Sequence, residues 1–167
     1  MPPIDPDYFP ATLGRRERWS TLGAVVFTVG VLSVAGIAMA VKRGDPRWMF
    51  LSLPFTLMVF VMARYAPTGY RLDADGVRVE RRAGSVLIPY RQIRGVDRTP
   101  RQVVGVSVFG SQGVFGRFGR FWNMQLGFYR LFVSNRDAVV WLITDDGWVG
   151  LSPDRPDEFV ALLGVRL

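Results

Sequence analysis

The chain has 167 residues, with Lys+Arg 21 against Asp+Glu 14 for a net charge of +7, and it contains neither histidine nor cysteine. Those two absences remove the commonest zinc, haem and iron–sulfur ligands, all disulfides, and every catalytic arrangement built on imidazole or thiolate. The length suits one membrane hairpin followed by one domain of about 100 residues.

Met1 to Leu13 holds four prolines and two aspartates with no helical period. Such a stretch reads as a flexible tail, taken here as residues 1–18. At its end Arg15, Arg16 and Arg18 mark a membrane edge, with Trp19 as an interfacial anchor. Trp19 to Val41 then runs 23 residues without a charge. At about 1.5 Å per residue that crosses a hydrocarbon core of about 30 Å. A soluble domain of this size has no core large enough to hide a helix that is apolar on every face. Ala38-Met39-Ala40 resembles a signal-peptidase site, but secretory apolar regions run only about 7–15 residues and are not followed by a second one. Here a second one follows: Trp48 to Ala63 is 16 uncharged residues between Arg47 and Arg64. Snorkelling arginines lengthen it, so the second span is placed at 48–66, after an extracytoplasmic loop at 42–47. Ser33, Gly36 and Ala40 share one face for close packing of the two helices, and Pro54 should kink the second. Lys and Arg number eight on the outer flanks against three in the loop (Lys42, Arg43, Arg47). That bias makes both termini cytoplasmic in a multi-pass protein of the cell membrane.

From Thr68 the pattern changes to short alternating runs cut by turns. Tyr70 to Leu72 and Val77 to Glu80 flank an Asp-Gly turn, the signature of a hairpin. Asp73 and Asp75 there do not continue into the ligand series of a calcium loop. Ser85 to Tyr90, Val104 to Phe109, Tyr129 to Val133, Ala138 to Thr144 and Trp148 to Leu151 bring the expected strands to seven. The chain closes on a helix that starts in Ser152-Pro153-Asp154-Arg155-Pro156-Asp157-Glu158. Phe159, Val160, Leu162 and Leu163 lie along it at helical spacing, and Gly164 stops it. Seven antiparallel strands and one amphipathic helix predict a small barrel plugged at one end.

The run YRLDADGV, then IPYRQIRGV, a glycine-aromatic stretch and LSPDRPDEFVALL resembles the bacterial pleckstrin-homology-like (PH-like) domains that follow a transmembrane hairpin. The resemblance covers residues 68–167. It implies a split barrel with a C-terminal helix, and a binding or scaffold role without catalysis. Eukaryotic members of the wider family hold phosphoinositide headgroups with basic residues near the first hairpin, where this chain offers Arg78, Arg81 and Arg82.

The remaining feature is the glycine- and aromatic-rich stretch at 110–127. Gly110, Gly113, Gly116 and Gly119 recur every three residues, interleaved with phenylalanines, Trp122 and two arginines. It is neither a Walker A loop nor a GxGxxG turn, and four triplets are too few for a collagen-like helix. Triplet spacing suits neither a strand nor a helix, so a long loop is expected. Its Phe115, Arg117, Phe118, Arg120, Phe121 and Trp122 should then face the bilayer or a partner and stay out of the barrel core. From Tyr70 to Arg130 there are 11 arginines against four acids, whereas Leu131 to Leu167 has three against six. This bipolar charge favours an anionic lipid surface or an acidic protein. Nucleic acid is set aside, since no recognition motif accompanies the basic residues. Asp145/Asp146 read as a turn and Asp154/Asp157/Glu158 as a helix start, with no nucleophile or base beside them. The expectation is a non-enzymatic membrane-tethered module without a cofactor or metal, binding anionic headgroups or a membrane protein. The alternative is an accessory subunit of a transport or secretion complex.

Overall fold

The computed structural model describes residues 5–99 and 105–167. Met1 to Ile4 of the expected tail, and Val104 at the head of the fourth expected strand, lie outside them.

Two apolar helices dominate the first part of the chain. Helix α1 (Arg15–Val25) passes through a wide π-helical segment (Val26–Val31) into α2 (Leu32–Arg43), a continuous helix of 29 residues. Within it the Thr28 hydroxyl donates back to the Ala24 carbonyl at 2.7 Å, the kind of local bond that loosens a helical ladder. Gly44 ends α2 in the left-handed region, at φ 66°. Asp45 then accepts the Arg47 amide at 3.0 Å and starts a tight 3-10 turn, Pro46–Phe50, which leads into α3 (Leu53–Tyr65). Pro54 falls in the first turn of α3. There its missing N–H leaves nothing unsatisfied, and it starts the α-helix where a mid-helix kink was expected. Both helices are long and apolar enough to cross a membrane. They are not core helices: Val34, Val41, Leu57 and Phe60 are each more than half exposed. The helices meet at small residues as expected, with Ser33 and Ser52 hydroxyls 3.0 Å apart. A Cβ on Gly36 would come within 2.4 Å of the Trp48 carbonyl.

Beyond the helices stand two sheets. The first has the order β1 (Tyr8–Pro10), β2 (Pro67–Leu72), β3 (Gly76–Arg81), β4 (Val86–Pro89). The second contains β5 (Ile93–Asp97), β6 (Val106–Gly113), β7 (Gly116–Asn123), β8 (Gly127–Val133), β9 (Val140–Thr144) and β10 (Gly147–Leu151), in the order β5-β9-β10-β8-β7-β6. Helix α4 (Pro156–Arg166) runs on through Gly164, the expected stop, and packs Phe159 and Leu163 into the gap between them. Both side chains are fully buried beside Phe9, Tyr70, Val79 and Leu142.

Four expectations need correction here. Among the described residues the ten strands form two sheets and no closed barrel, because the chain leaves the ladder at Pro89 and passes from β4 to β5 through a 3-10 turn. The pairing is not wholly antiparallel, since β10 runs parallel to β8. The described part of the expected tail is not loose: β1 pairs with β2, and Phe9 lies at 0% exposure with its ring edge-on to Phe159, 5.2 Å between centroids. The fourth concerns the glycine-rich stretch, which is a hairpin. Gly110 pairs with Gly119 and Gly113 with Gly116, so the triplet spacing comes from two cross-strand pairs about the turn at Val114-Phe115.

Candidate ligand cleft at the foot of the helices

The hairpin of helices is joined to the domain by particular contacts. At the start of α1, Gly14 donates its amide to the Ser134 carbonyl at 3.0 Å. Glu17, 3% exposed, pairs with Arg136 at 2.8 Å. Arg117 sits near this pair, and its pKa is lowered by burial and by the neighbouring Arg136. Thr21 accepts the amide of Phe115 at 2.7 Å, which ties the β6–β7 turn to the second turn of α1. Phe115 holds φ 57°, a left-handed conformation that a bulky residue keeps only when its surroundings impose it. At the end of α3 the Arg64 carbonyl accepts the Ala83 amide at 2.8 Å, from the turn between β3 and β4.

Between these contacts opens a cleft of about 560 Å³. Leu13, Ala63 and Phe115 give it apolar walls, Thr12 and Thr68 add hydroxyl-bearing side chains, and Arg18 and Arg82 bring positive charge. Neither arginine makes an ion pair among the described residues. A concave, largely apolar site of this size with a few polar groups suits one small ligand or headgroup. Two unpaired guanidiniums suit an anion that accepts hydrogen bonds on several oxygens.

Of the residues picked out by sequence, Arg82 and Phe115 line this cleft. Arg78 and Arg81 do not: Arg78 pairs with Asp73 and donates to Ser85, while Arg81 donates to the Gly84 carbonyl and lies over the Tyr65 ring. Arg117 belongs to the joint with α1. Phe118 and Phe121 are buried at 5% and 1% exposure, against expectation. They lie three positions apart on β7 and so point to opposite faces. Phe118 stands opposite Phe132, a residue of the main core, and Phe121 stands opposite Tyr129 in a second core with Trp141. Arg120 and Trp122 are exposed, at the far end of the hairpin. Sequence reasoning misses Arg18, Thr12 and Leu13 as site residues. The first reads only as a membrane-edge charge, and the other two fall in the expected tail.

The exposed face of β6, β7 and β8 forms a second feature. Phe109, Arg120 and Arg130 stand opposite one another across the three strands, as do Val106, Trp122 and Phe128 in the next row. Phe109 is 81% exposed. Arg71 and Arg78, which also face each other across strands, are neutralised by Asp5, Glu80 and Asp73. Arg120 and Arg130 have no such partner among the described residues. No group of His, Cys, Asp and Glu suited to a metal ion occurs among the described residues.

The family model of the bacterial PH domain matches residues 68–167. No curated protein and no solved structure matches the chain. Strand β1 and both apolar helices precede the matched residues. From β2 to α4, the chain belongs to the bacterial PH domain family.

Proposed function

We propose that this protein is a membrane-tethered, non-enzymatic binding module at the cytoplasmic face of the cell membrane, with both termini cytoplasmic. Its ligands are anionic lipid headgroups of the inner leaflet. The observation that carries this reading is the position of the cleft. It lies where α1 begins and α3 ends, the depth at which headgroups stand if the exposed apolar flanks of the helices face lipid. Arginine near an anionic leaflet contributes about 1 kcal/mol, and neither arginine in the cleft makes an ion pair among the described residues.

A second reading, an accessory subunit docked on a larger membrane complex, draws on the Phe109, Arg120, Arg130 and Trp122 face. Adjacent like charges on a sheet are unfavourable alone and become favourable when an acidic surface covers them. The full-length chain purified from native membranes separates the two readings. Enrichment of anionic phospholipid over the bulk membrane composition, with no stoichiometric protein, supports the lipid module. A stoichiometric membrane protein supports the subunit. If neither is found, both readings fall.

A further inference from the structure

We infer that the cleft is a composite site for the phosphodiester of a single anionic phospholipid, held between Arg18 and Arg82. An occupant there staples the helical hairpin to the PH domain. This rests on the lipid-module reading and goes beyond it in naming the site, the ligand class and the consequence.

Four segments distant in sequence build the site, one of them the end of α3 and start of β2 with Ala63 and Thr68. Arg18 comes from α1, Arg82 from the turn after β3, and Phe115 from the turn between β6 and β7. Two hydrogen bonds set their placement, Phe115 to Thr21 and Ala83 to the Arg64 carbonyl. The family-matched residues supply Arg82 and Phe115 but not Arg18, which precedes them. A PH domain without this hairpin therefore lacks one of the two charges. Guanidinium groups bind phosphate through paired N–H donors, and two of them can share the oxygens of one phosphodiester. The lipid source is favoured over free phosphate by the walls. Leu13, Ala63 and Phe115 would line a purely ionic site poorly, and Ala63 belongs to α3, whose apolar Leu57 and Phe60 are exposed where acyl chains would lie. The first hairpin is excluded as the main locus because Arg78 and Arg81 are already engaged.

The test uses the full chain in nanodiscs of phosphatidylcholine with a minor fraction of phosphatidylglycerol. Native mass spectrometry after release counts the lipids retained. The wild type is expected to keep one phosphatidylglycerol in preference to phosphatidylcholine. Arg18→Gln with Arg82→Gln should lower that retention about tenfold or more. Arg82→Gln alone should lower it by less. Arg91→Gln with Arg94→Gln, an equal loss of charge elsewhere, should leave it unchanged. Inorganic phosphate at millimolar concentration should not displace the lipid; displacement would make this a simple anion site and overturn the inference. Retention that survives in the Arg18/Arg82 variant and falls in Arg120→Gln with Arg130→Gln also overturns it, while the lipid-module reading stands. A wild type that shows no preference for phosphatidylglycerol removes the lipid-module reading itself. All of the substituted arginines except Arg130 are exposed, and a melting temperature in pure phosphatidylcholine discs confirms that each variant is folded.

Discussion

Gly110 and Gly119 illustrate how much a single atom decides in this chain. They face each other across β6 and β7 with φ 136° and 120°. A Cβ on Gly119 would lie 2.1 Å from the Phe109 carbonyl, and one on Gly110 would lie 2.0 Å from the Phe118 carbonyl. Backbone cannot yield there as a flexible side chain could. Gly119→Ala is therefore expected to destabilise by more than about 3 kcal/mol, combining strain at a disfavoured φ with overpacking. Gly113→Ala should change the melting temperature little, since its Cβ would meet nothing within 4 Å and its φ is not positive. Equal losses in the two variants would remove this account of the hairpin. Tyr70 sets a different kind of constraint. Its hydroxyl donates to the Phe132 carbonyl and accepts the Ser152 amide at 3.0 Å, and Ser152 in turn accepts the Ser134 amide at 2.8 Å. Burial pushes the Tyr70 phenol up to about 12 from 10.0. Below pH 10 the phenol is neutral in the folded and unfolded chain alike, so its contribution is complete there. Above that pH the unfolded chain ionises first, and roughly 3 kcal/mol of stability is lost as pH rises toward the folded value. Tyr70→Phe should cost about 1–3 kcal/mol at neutral pH, from the unpaired Phe132 carbonyl and Ser152 amide, and should flatten the alkaline slope. Denaturant titrations across the alkaline range measure both effects.

At the scale of elements, β1 is the piece that the family-matched residues do not contain but the fold uses. Phe9 fills the core against Phe159, and Asp154 accepts the Thr12 amide at 2.9 Å. Asp5 and Asp7 pair with Arg71 and Arg166. Phe9→Ala should cost about 3–5 kcal/mol, the usual penalty of an aromatic cavity in a core. Residues 68–167 expressed alone should accordingly show a broad, low-temperature transition or none. Supplying residues 5–13 as a peptide should raise and sharpen it, and a fragment that melts cooperatively without the peptide would show β1 to be dispensable. This strand is illegible in the sequence because it is short and sits at a sheet edge. Pro10 is tolerated there, yet in the sequence it reads as a breaker. The apolar helices and α4 are legible because their signals are local: length without charge, and proline followed by acids before a 3.6-residue period. The glycine triplets are visible but mislead. Their spacing makes no sense along one strand, because the pattern arises across two, in the pairs Gly110 with Gly119 and Gly113 with Gly116 about one turn. Phe118 and Phe121 are misplaced with it, since the face of β7 that carries Phe121 packs on the second core, while the opposite face is buried at Phe118 near the turn and exposed at Arg120 and Trp122. The cleft is legible only through Arg82 and Phe115, because a site assembled from four distant segments leaves no motif.

For the whole molecule, strand pairing constrains topology independently of charge. Strand β1 precedes the apolar helices and β2 follows them, yet the two are neighbours in one sheet, with Phe9 opposite Tyr70. A chain that leaves this sheet into a bilayer and rejoins it must cross an even number of times. If the two helices that are long enough to span among the described residues do cross a bilayer, the pairing puts the ends of that hairpin on one side. In the proposed orientation the arginine count at the outer flanks favours the cytoplasm as that side. The Lys42-Arg43 pair and Arg47 in the connecting loop oppose this bias, and the Arg43 guanidinium lies over the Trp48 ring at 4.9 Å. The folded domain, which cannot cross as a unit once β1 and β2 have paired, should therefore decide the orientation in the mature protein. Reporter fusions after Gly44 and after Leu167 are expected to report opposite compartments, with the C-terminal one cytoplasmic. Phe9→Asp, which opposes β1 docking without touching the flanking arginines, should leave the C-terminal reporter cytoplasmic but render the N-terminal segment accessible to protease from the same side. Matching compartments for the two fusions would mean that the helices do not form a transmembrane hairpin. Protease access to the N-terminal segment from the opposite side in the wild type would mean that β1 and β2 do not pair in the membrane-bound protein.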